Sequence, residues 1–471
     1  MKIEQIYTGC LAQGAYYITS KGEAAIIDPL REVQPYLDKL EADGVKLKYV
    51  FETHFHADFV SGHLSLSKKT GAPIVFGPTA NPNFDVIIAE DNQAFKVGDL
   101  TIIALHTPGH TMESTTYLLR NENNKDIAIF SGDTLFLGDV GRPDLAQKGI
   151  ELTTEKLAGI LFHSLRTKIM PLSDDVTVYP GHGAGSACGK NMSKETVDTL
   201  GNQKATNYAL RADMTQQEFI EAVTDGISEP PAYFPMNVQM NKTGYTDFDE
   251  VKDRGMKALS PDEFELVANQ VEAIVLDVRK QLDFSKSHIP RSIFIGLNGD
   301  FAPWVGALIK DVEQPILLVT EAGQEEEAVT RLARVGFDNV LGYLKDGIQA
   351  WISEGKQVDT VKSESAEEFV NDFNKSEIIV FDVRKDSEFG AQHVINARHT
   401  PLSRLNDHLA EFPKDKTFYI HCQGGYRSMI AASILKSRGY HNLIDVDGGF
   451  KEIAQKGIVT QEICTLTGKP I

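Results

Sequence analysis

The sequence predicts an α/β multidomain protein, and three observations carry the prediction. The chain has 471 residues, and at roughly 150 residues per domain that means about three domains. Before residue 230, short apolar strands alternate loosely with helical patterns, and loops rich in His, Asp and Gly follow the strand ends. Beyond residue 255, a strand–helix–strand–helix pattern occurs twice at a fixed offset, which marks duplicated small α/β domains with parallel sheets. The expected limits are 1–230 for the first domain, 231–255 for a linker, and 256–360 and 361–471 for the two copies.

In the first domain AYYITS (15–20) and AAIIDP (24–29) flank Lys21-Gly22, a hairpin signal. A helical pattern over 33–43 precedes the strand KYVFET (48–53), which runs directly into His54. Further strands are expected at PIVFG (73–77), LTIIAL (100–105), TTYLLR (115–120), DIAIFSGD (126–133) and VTVYP (176–180). The stretch SEPPAYFPMNVQMNKTG (228–244) is rich in Pro and polar residues with little periodicity, hence the linker. The repeat is clearest where EAIVLDVRKQLDFSKSHIP (272–290) parallels EIIVFDVRKDSEFGAQHVI (377–395). That match pairs Asp277-Val278-Arg279 with Asp382-Val383-Arg384, and His288 with His393.

Apolar residues make up 42% and charged residues 24%, enough material for several cores and unlike a collagenous, disordered or disulfide-stapled chain. Lys plus Arg is 47 against 66 Asp plus Glu, a net charge of −19. No basic face is on offer to nucleic acid or to an anionic membrane. The start, MKIEQIYTG, has no basic n-region, and no apolar run approaches the roughly 18 residues of a spanning helix. The four cysteines (Cys10, Cys188, Cys422 and Cys464) lie far apart without a CxxC pair. A cytoplasmic, reducing location is expected.

Seven of the thirteen histidines precede residue 183, which suggests a metal site. THFHADF places His54, His56 and Asp58 on a loop straight after a strand, where alternate imidazoles can converge on one cation. TPGH adds His110, FSGD adds Asp133, and YPGHG adds His182, each at another strand end. This ordered set resembles the metallo-β-lactamase superfamily over about residues 1–230, which implies an αββα sandwich with its metals at one sheet edge. In the binuclear zinc hydrolases of that fold, such as glyoxalase II, HxHxD is followed by a further His for the second metal. Here the position is Phe59, which cannot coordinate, so a single ion is expected.

Within the superfamily the chain looks most like the persulfide dioxygenases, which hold one Fe(II) with two His and one carboxylate. That resemblance implies His54, His110 and Asp133 as the ligands. It leaves His56, Asp58 and His182 to orient ligands or water behind them, although zinc hydrolases use the His56 position as a ligand. GDVGRPDL (138–145) resembles the GRxD segment of the dioxygenases; Arg142 either offers a cation to an anionic persulfide or pairs with Asp144 on its own loop. Cys188, in the Gly-rich GHGAGSACGK, either handles sulfur or is a small buried residue.

In the last domain TFYIHCQGGYRSMIAASIL reads as a strand, a tight loop and a helix. Glycines let consecutive backbone N–H groups point inward and the helix start adds partial positive charge, so Gln423, Gly424, Gly425, Tyr426 and Arg427 are the expected substrate-binding residues around Cys422. Such a setting favours a thiolate or a bound persulfide. The arrangement resembles rhodaneses, with Asp382, Arg384 and His393 in their upstream places. The six-residue loop from Cys422 to Arg427 has the length of sulfurtransferases rather than the longer phosphatase loop. In the first copy the matching strand runs ILLVTEAGQEEEA, with Thr320 or Glu321 at the nucleophile position. Glu325, Glu326 and Glu327 replace the cradle with negative charge, so this copy is expected to be inactive, a spacer or docking domain.

Taken together, these resemblances imply a persulfide dioxygenase fused to a sulfurtransferase. A low-molecular-weight thiol persulfide, O2, and sulfite or thiosulfate are the expected small partners, and a homo-oligomer (dimer or tetramer) the expected assembly. A zinc thioesterase of glyoxalase II type attached to rhodanese domains is the alternative enzyme. A non-enzymatic persulfide sensor or sulfur-relay scaffold is the alternative from another class.

Overall fold

A computed structural model describes residues 1–146, 152–227 and 229–459. It divides into two compact units. The first holds Met1–Glu250 with Leu332–Asp338, and the second holds Val251–Arg331 with the described residues from Asn339 on. Residues 460–471, and Cys464 with them, lie outside the described residues.

The first unit contains two six-stranded sheets. One runs from Lys2–Thr8 through Gln13–Ser20, Glu23–Ile27, Lys46–Phe51 and Ile74–Phe76 to Ile87–Ile88. The other runs from Asp198–Thr199 through Thr177–Pro180, Asp126–Gly132, Thr115–Arg120 and Leu100–His106 to Ala94–Val97. Side chains alternate across each strand, so one strand serves two cores. Tyr16, Ile18, Ala25 and Ile27 pack with Ile102, Ala104, Tyr117 and Phe130 between the sheets. Their neighbours Ala15, Tyr17, Ala24 and Ile26 face Tyr36, Leu40 and Leu66 of the helices Gln34–Asp43 and His63–Thr70. On the outside of the other sheet, Ile103, Leu105, Leu118 and Ile129 meet Leu161, Leu165, Phe219 and Val223. The expected αββα layering is present, and burial on both faces explains why these strands read as continuous apolar runs. The hairpin turn at Lys21-Gly22 has φ of 47° and 81°, the left-handed pair that a tight two-residue hairpin requires.

The stretch expected to be a linker folds instead. Helices span Phe234–Thr243 and Phe248–Gly255. The first escapes a periodicity search because its buried positions include Asn237 and Asn241 rather than aliphatic residues. Asn241 donates from Nδ2 to the carbonyls of His56 and Phe59, and its Oδ1 accepts from Ser61 N–H. The helix therefore clamps the THFHADF loop from behind.

The second unit carries two five-stranded sheets. One has the order Ala258–Leu259, Val340–Leu344, Ile316–Val319, Ile274–Asp277, Ile293–Phe294, all parallel. The other repeats it with Lys362–Glu364, Leu443–Val446, Phe418–His421, Ile379–Asp382 and Arg398–His399. The duplication extends to side chains. Arg279 and Arg384 pair with Asp277 and Asp382 at 2.6 and 2.7 Å, and His288 and His393 stack on Phe284 and Phe389. Among the described residues no helix is long and apolar enough to cross a membrane.

Candidate functional site

Strand ends deliver the metal-type residues of the first unit to one place. Lys46–Phe51 leads to Thr53 and His54, Leu100–His106 to His110, and Asp126–Gly132 to Asp133. Ligand atoms of His54, His110 and Asp133 lie within 4.8 Å of one another, and all three residues are buried. Gly109 of the TPGH turn sits at φ 140°, and a Cβ there would lie 2.4 Å from Leu161 Cα, so the turn accepts only glycine.

The hydrogen-bond network fixes which nitrogens face the centre. Thr53 Oγ1 gives its single proton to Asp28 Oδ2 at 2.8 Å and therefore accepts from His54 Nδ1 at 2.9 Å. His110 Nδ1 lies 2.9 Å from the carbonyl of Arg142, which can only accept. Both imidazoles thus keep a proton on Nδ1 and turn a lone pair on Nε2 toward Asp133 Oδ2, at 3.8 and 3.4 Å. Asp133 Oδ1 is held by His182 Nδ1 at 2.8 Å, while Oδ2 is buried without a hydrogen-bond donor among the described residues. Three acceptor lone pairs converge with no proton between them, an arrangement that a cation satisfies. Burial would raise the Asp133 carboxyl, but His182, His54 and His110 together carry it far below the usual carboxylate range. Burial, with His56 alongside, pushes the His54 imidazole well down.

Two further clusters border the triad. His182 lies between Asp133 and Asp58, whose Oδ2 is 2.8 Å from Nε2. Burial works against its protonation, but the two carboxylates raise it well above its ordinary value. Cys188 joins Asp58 and His182 in a buried group of donors, its thiol pushed up by burial and by the Asp58 and Asp133 charges. His56 falls in the third group, with Nε2 3.1 Å from Asp28 Oδ1 and 3.6 Å from Glu52 Oε2. Burial and the Asp28 charge push Glu52 well above the carboxylate range. Phe59 is fully buried with its ring 4.3 Å from that of His56. Sequence reasoning passed over Asp28 and Glu52. The available signal was their place at the ends of AAIIDP and KYVFET, immediately before the loops they brace.

Arg142 is buried and its guanidinium grips Asp144 through Nε and Nη2, at 2.7 and 2.8 Å, and the Ala187 carbonyl through Nη1. Its backbone carbonyl is what fixes His110. A cavity of about 840 Å³ opens beside the turn before His110, lined by His106, Pro108, Lys156 and His163 among others.

In the second unit the strand Phe418–His421 ends at Cys422, which is buried, and the helix Tyr426–Ser437 starts four residues on. Gly425, at φ 95°, donates its N–H to Cys422 Sγ at 3.1 Å. Arg384 supports the loop through Gln423 Oε1. Arg427 makes a double contact with Glu388 at 2.6 and 2.8 Å, so its charge at the loop is shared with a carboxylate. Tyr426 directs its hydroxyl to the Gly296 carbonyl at 2.7 Å. The other copy settles its own register. Ile316–Val319 matches Phe418–His421, and Gly323 (φ 85°) matches Gly425, so Thr320 stands in the place of Cys422 and Glu325 in that of Arg427. A cavity of about 720 Å³ remains there, lined by Arg279, Thr320, Glu321 and Glu325 among others, without a thiol among the described residues.

Comparison with known proteins agrees with this anatomy. Residues 8–182 match the metallo-beta-lactamase superfamily, and residues 260–354 and 365–456 each match the rhodanese-like domain. The human protein "Persulfide dioxygenase ETHE1, mitochondrial" is 30% identical over 201 residues, 42% of this chain and 70% of its own. "Hydroxyacylglutathione hydrolase GloC" of Haemophilus influenzae is 29% identical over 213 residues, 40% of this chain and 94% of its own. Among solved structures, a metallo-beta-lactamase from Staphylococcus aureus is similar with a TM-score of 0.66 and 30% identity, over 73% of this chain and 99% of that one. A dioxygenase and a hydrolase stand at nearly the same identity, 30% and 29%. The chain belongs to the metallo-β-lactamase superfamily, with two rhodanese-like domains following its metal-binding domain.

Proposed function

We propose that the protein is a non-haem Fe(II) persulfide dioxygenase coupled to a sulfurtransferase. The observation that carries the reading is the donor set: two Nε2 lone pairs and one orphaned carboxylate oxygen, with His56 grouped with Asp28 and Glu52 rather than with them. Two His and one carboxylate suit iron and leave positions for O2 and substrate, whereas a zinc hydrolase of this fold needs His56 as a further ligand. The bound iron would supply O2 activation and a Lewis acid for the terminal sulfur. The protein's own part is to bury the site, to hold His54 and His110 by Nδ1, and to fix Asp133 through His182. The net reaction is RSSH + O2 + H2O giving RSH, sulfite and two protons. Cys422 takes the sulfane sulfur of a persulfide as Cys–S–SH, releasing the thiolate, and sulfite attacks that terminal sulfur to give thiosulfate and free Cys422. A reducing cytoplasm is the compartment this reading assigns.

The cluster of Asp58, His182 and Cys188 favours a second reading, a binuclear zinc hydrolase in which Cys188 stands in for the missing histidine. Replacing Cys422 with Ser tests the first reading. RSSH-dependent O2 uptake should persist, while the product shifts from thiosulfate to free sulfite. Thiosulfate formed at the wild-type rate by Cys422→Ser overturns the assignment of Cys422.

A further inference from the structure

The middle domain has lost its nucleophile yet keeps its fold. We infer that it serves as the seat of the Cys422 loop, holding Tyr426 in a socket formed by Phe294, Gly296 and Gly299.

Tyr426 is the fifth residue of the CQGGYR loop and the first of the helix Tyr426–Ser437. Its hydroxyl donates to the Gly296 carbonyl at 2.7 Å, and its ring meets Phe294 edge-on at 5.9 Å. The fit at Gly299 is the tightest feature. A Cβ there would lie 2.3 Å from Tyr426 Cζ and 2.6 and 2.7 Å from its Cε atoms, so glycine is what admits the ring. Next to it, Gln281 Nε2 lies 3.1 Å from where a Cβ of Gly425 would stand, close to the N–H that reaches Cys422 Sγ.

The same helix is anchored further along. Ile293–Phe294 is the edge strand of the middle sheet, and an edge strand leaves backbone N–H groups without a ladder partner. Phe294 N–H is satisfied by Ser433 Oγ at 3.0 Å, and Lys436 Nζ pairs with Asp359 at 3.0 Å. The middle domain thus grips one helix at its first turn, its middle and its last turn. Tyr426 bears on catalysis because it joins the helix start to the loop: moving its ring moves the N–H groups of Gly425 and Tyr426 relative to Cys422. Tyr426 and Gly299 are positioning residues, since neither side touches the sulfur.

The inference rests on the sulfurtransferase reading only for its second assay. The test uses the full chain and the variants Gly299→Ala, Tyr426→Phe, Tyr426→Ala and Gly299→Ala/Tyr426→Ala. The first readout is the rate of Cys422 alkylation by iodoacetamide, mapped by peptide mass. The second is single-turnover loading of sulfane sulfur from thiosulfate. Gly299→Ala should slow both by about tenfold or more, as small displacements of reacting groups do. O2 uptake should be unchanged in that variant, and the effect of Gly299→Ala on both rates should vanish in the Tyr426→Ala background. Tyr426→Phe, which deletes only the hydroxyl, should slow both in the same direction. Rates within about twofold of wild type in Gly299→Ala and Tyr426→Phe would overturn the inference, as would an equal loss in both Tyr426 backgrounds. Should sulfur loading prove absent from the wild type, the sulfurtransferase reading fails while alkylation still reads the socket.

Discussion

The Thr53 hydroxyl is the smallest group on which the metal centre depends. It donates to Asp28 Oδ2 and accepts from His54 Nδ1, and so sets the imidazole's tautomer and direction. Thr53→Val keeps the shape and deletes both bonds. His54 then has no fixed orientation, whereas His110 remains held by a backbone carbonyl that no side-chain change removes. Loss of such an orienting partner costs about 10- to 100-fold in metal affinity, or roughly 1.4–2.8 kcal/mol. Asp28 Oδ2 also loses a donor in a buried place, which should lower the stability of the metal-free protein by about 1–3 kcal/mol. The assay is anaerobic competition with a chelator of known affinity, read by metal retained on the protein, beside urea unfolding of the metal-free form. Metal affinity within about twofold of wild type in a normally folded Thr53→Val would refute the view that Nδ1 bonding prepares the site.

Other consequences follow from the same geometry. His110→Ala should remove the metal and O2 consumption while sulfur loading of Cys422 survives, because Cys422 belongs to the other compact unit; equal loss of both activities contradicts this. Burial pushes Asp445 up to about 7, with the Ser428 hydrogen bond acting against it, from an ordinary value of 3.8. The folded chain therefore binds this proton more tightly than the unfolded chain, and stability falls as pH rises between about 4 and about 7. Asp445→Asn should raise the melting temperature at pH 8 and leave it unchanged at pH 4, with a gain of at most about 4 kcal/mol. A difference of the same size at both pH values rules this out.

Much of the first unit was legible because its strands carry apolar residues on both faces and end in polar, motif-bearing loops. His54, His110 and Asp133 were legible for that reason, each in a motif that follows a strand. Asp28 and Glu52 were not, because a carboxylate at a strand end reads as a turn until the fold brings His56 against it. The helix Phe234–Thr243 was hidden by its own chemistry. It buries Asn237 and Asn241, the second bonded to loop carbonyls, and a hydrophobic pattern cannot register an amide face. The inactive copy was legible from its missing cysteine, but its register needed the paired glycines Gly323 and Gly425. The socket for Tyr426 had no sequence signal, since Gly299 looks like any loop glycine until an aromatic ring from a residue far along the chain lies on it.

The central claim is an iron dioxygenase site built from His54, His110 and Asp133. The most direct test measures metal content of the full chain purified without O2, together with O2 uptake and sulfite release on adding glutathione persulfide. One iron per chain, with one O2 consumed for each sulfite formed in the Cys422→Ser variant, is the expected result. Two tightly bound zinc ions per chain, with hydrolysis of a glutathione thioester and no persulfide-dependent O2 uptake, would contradict it.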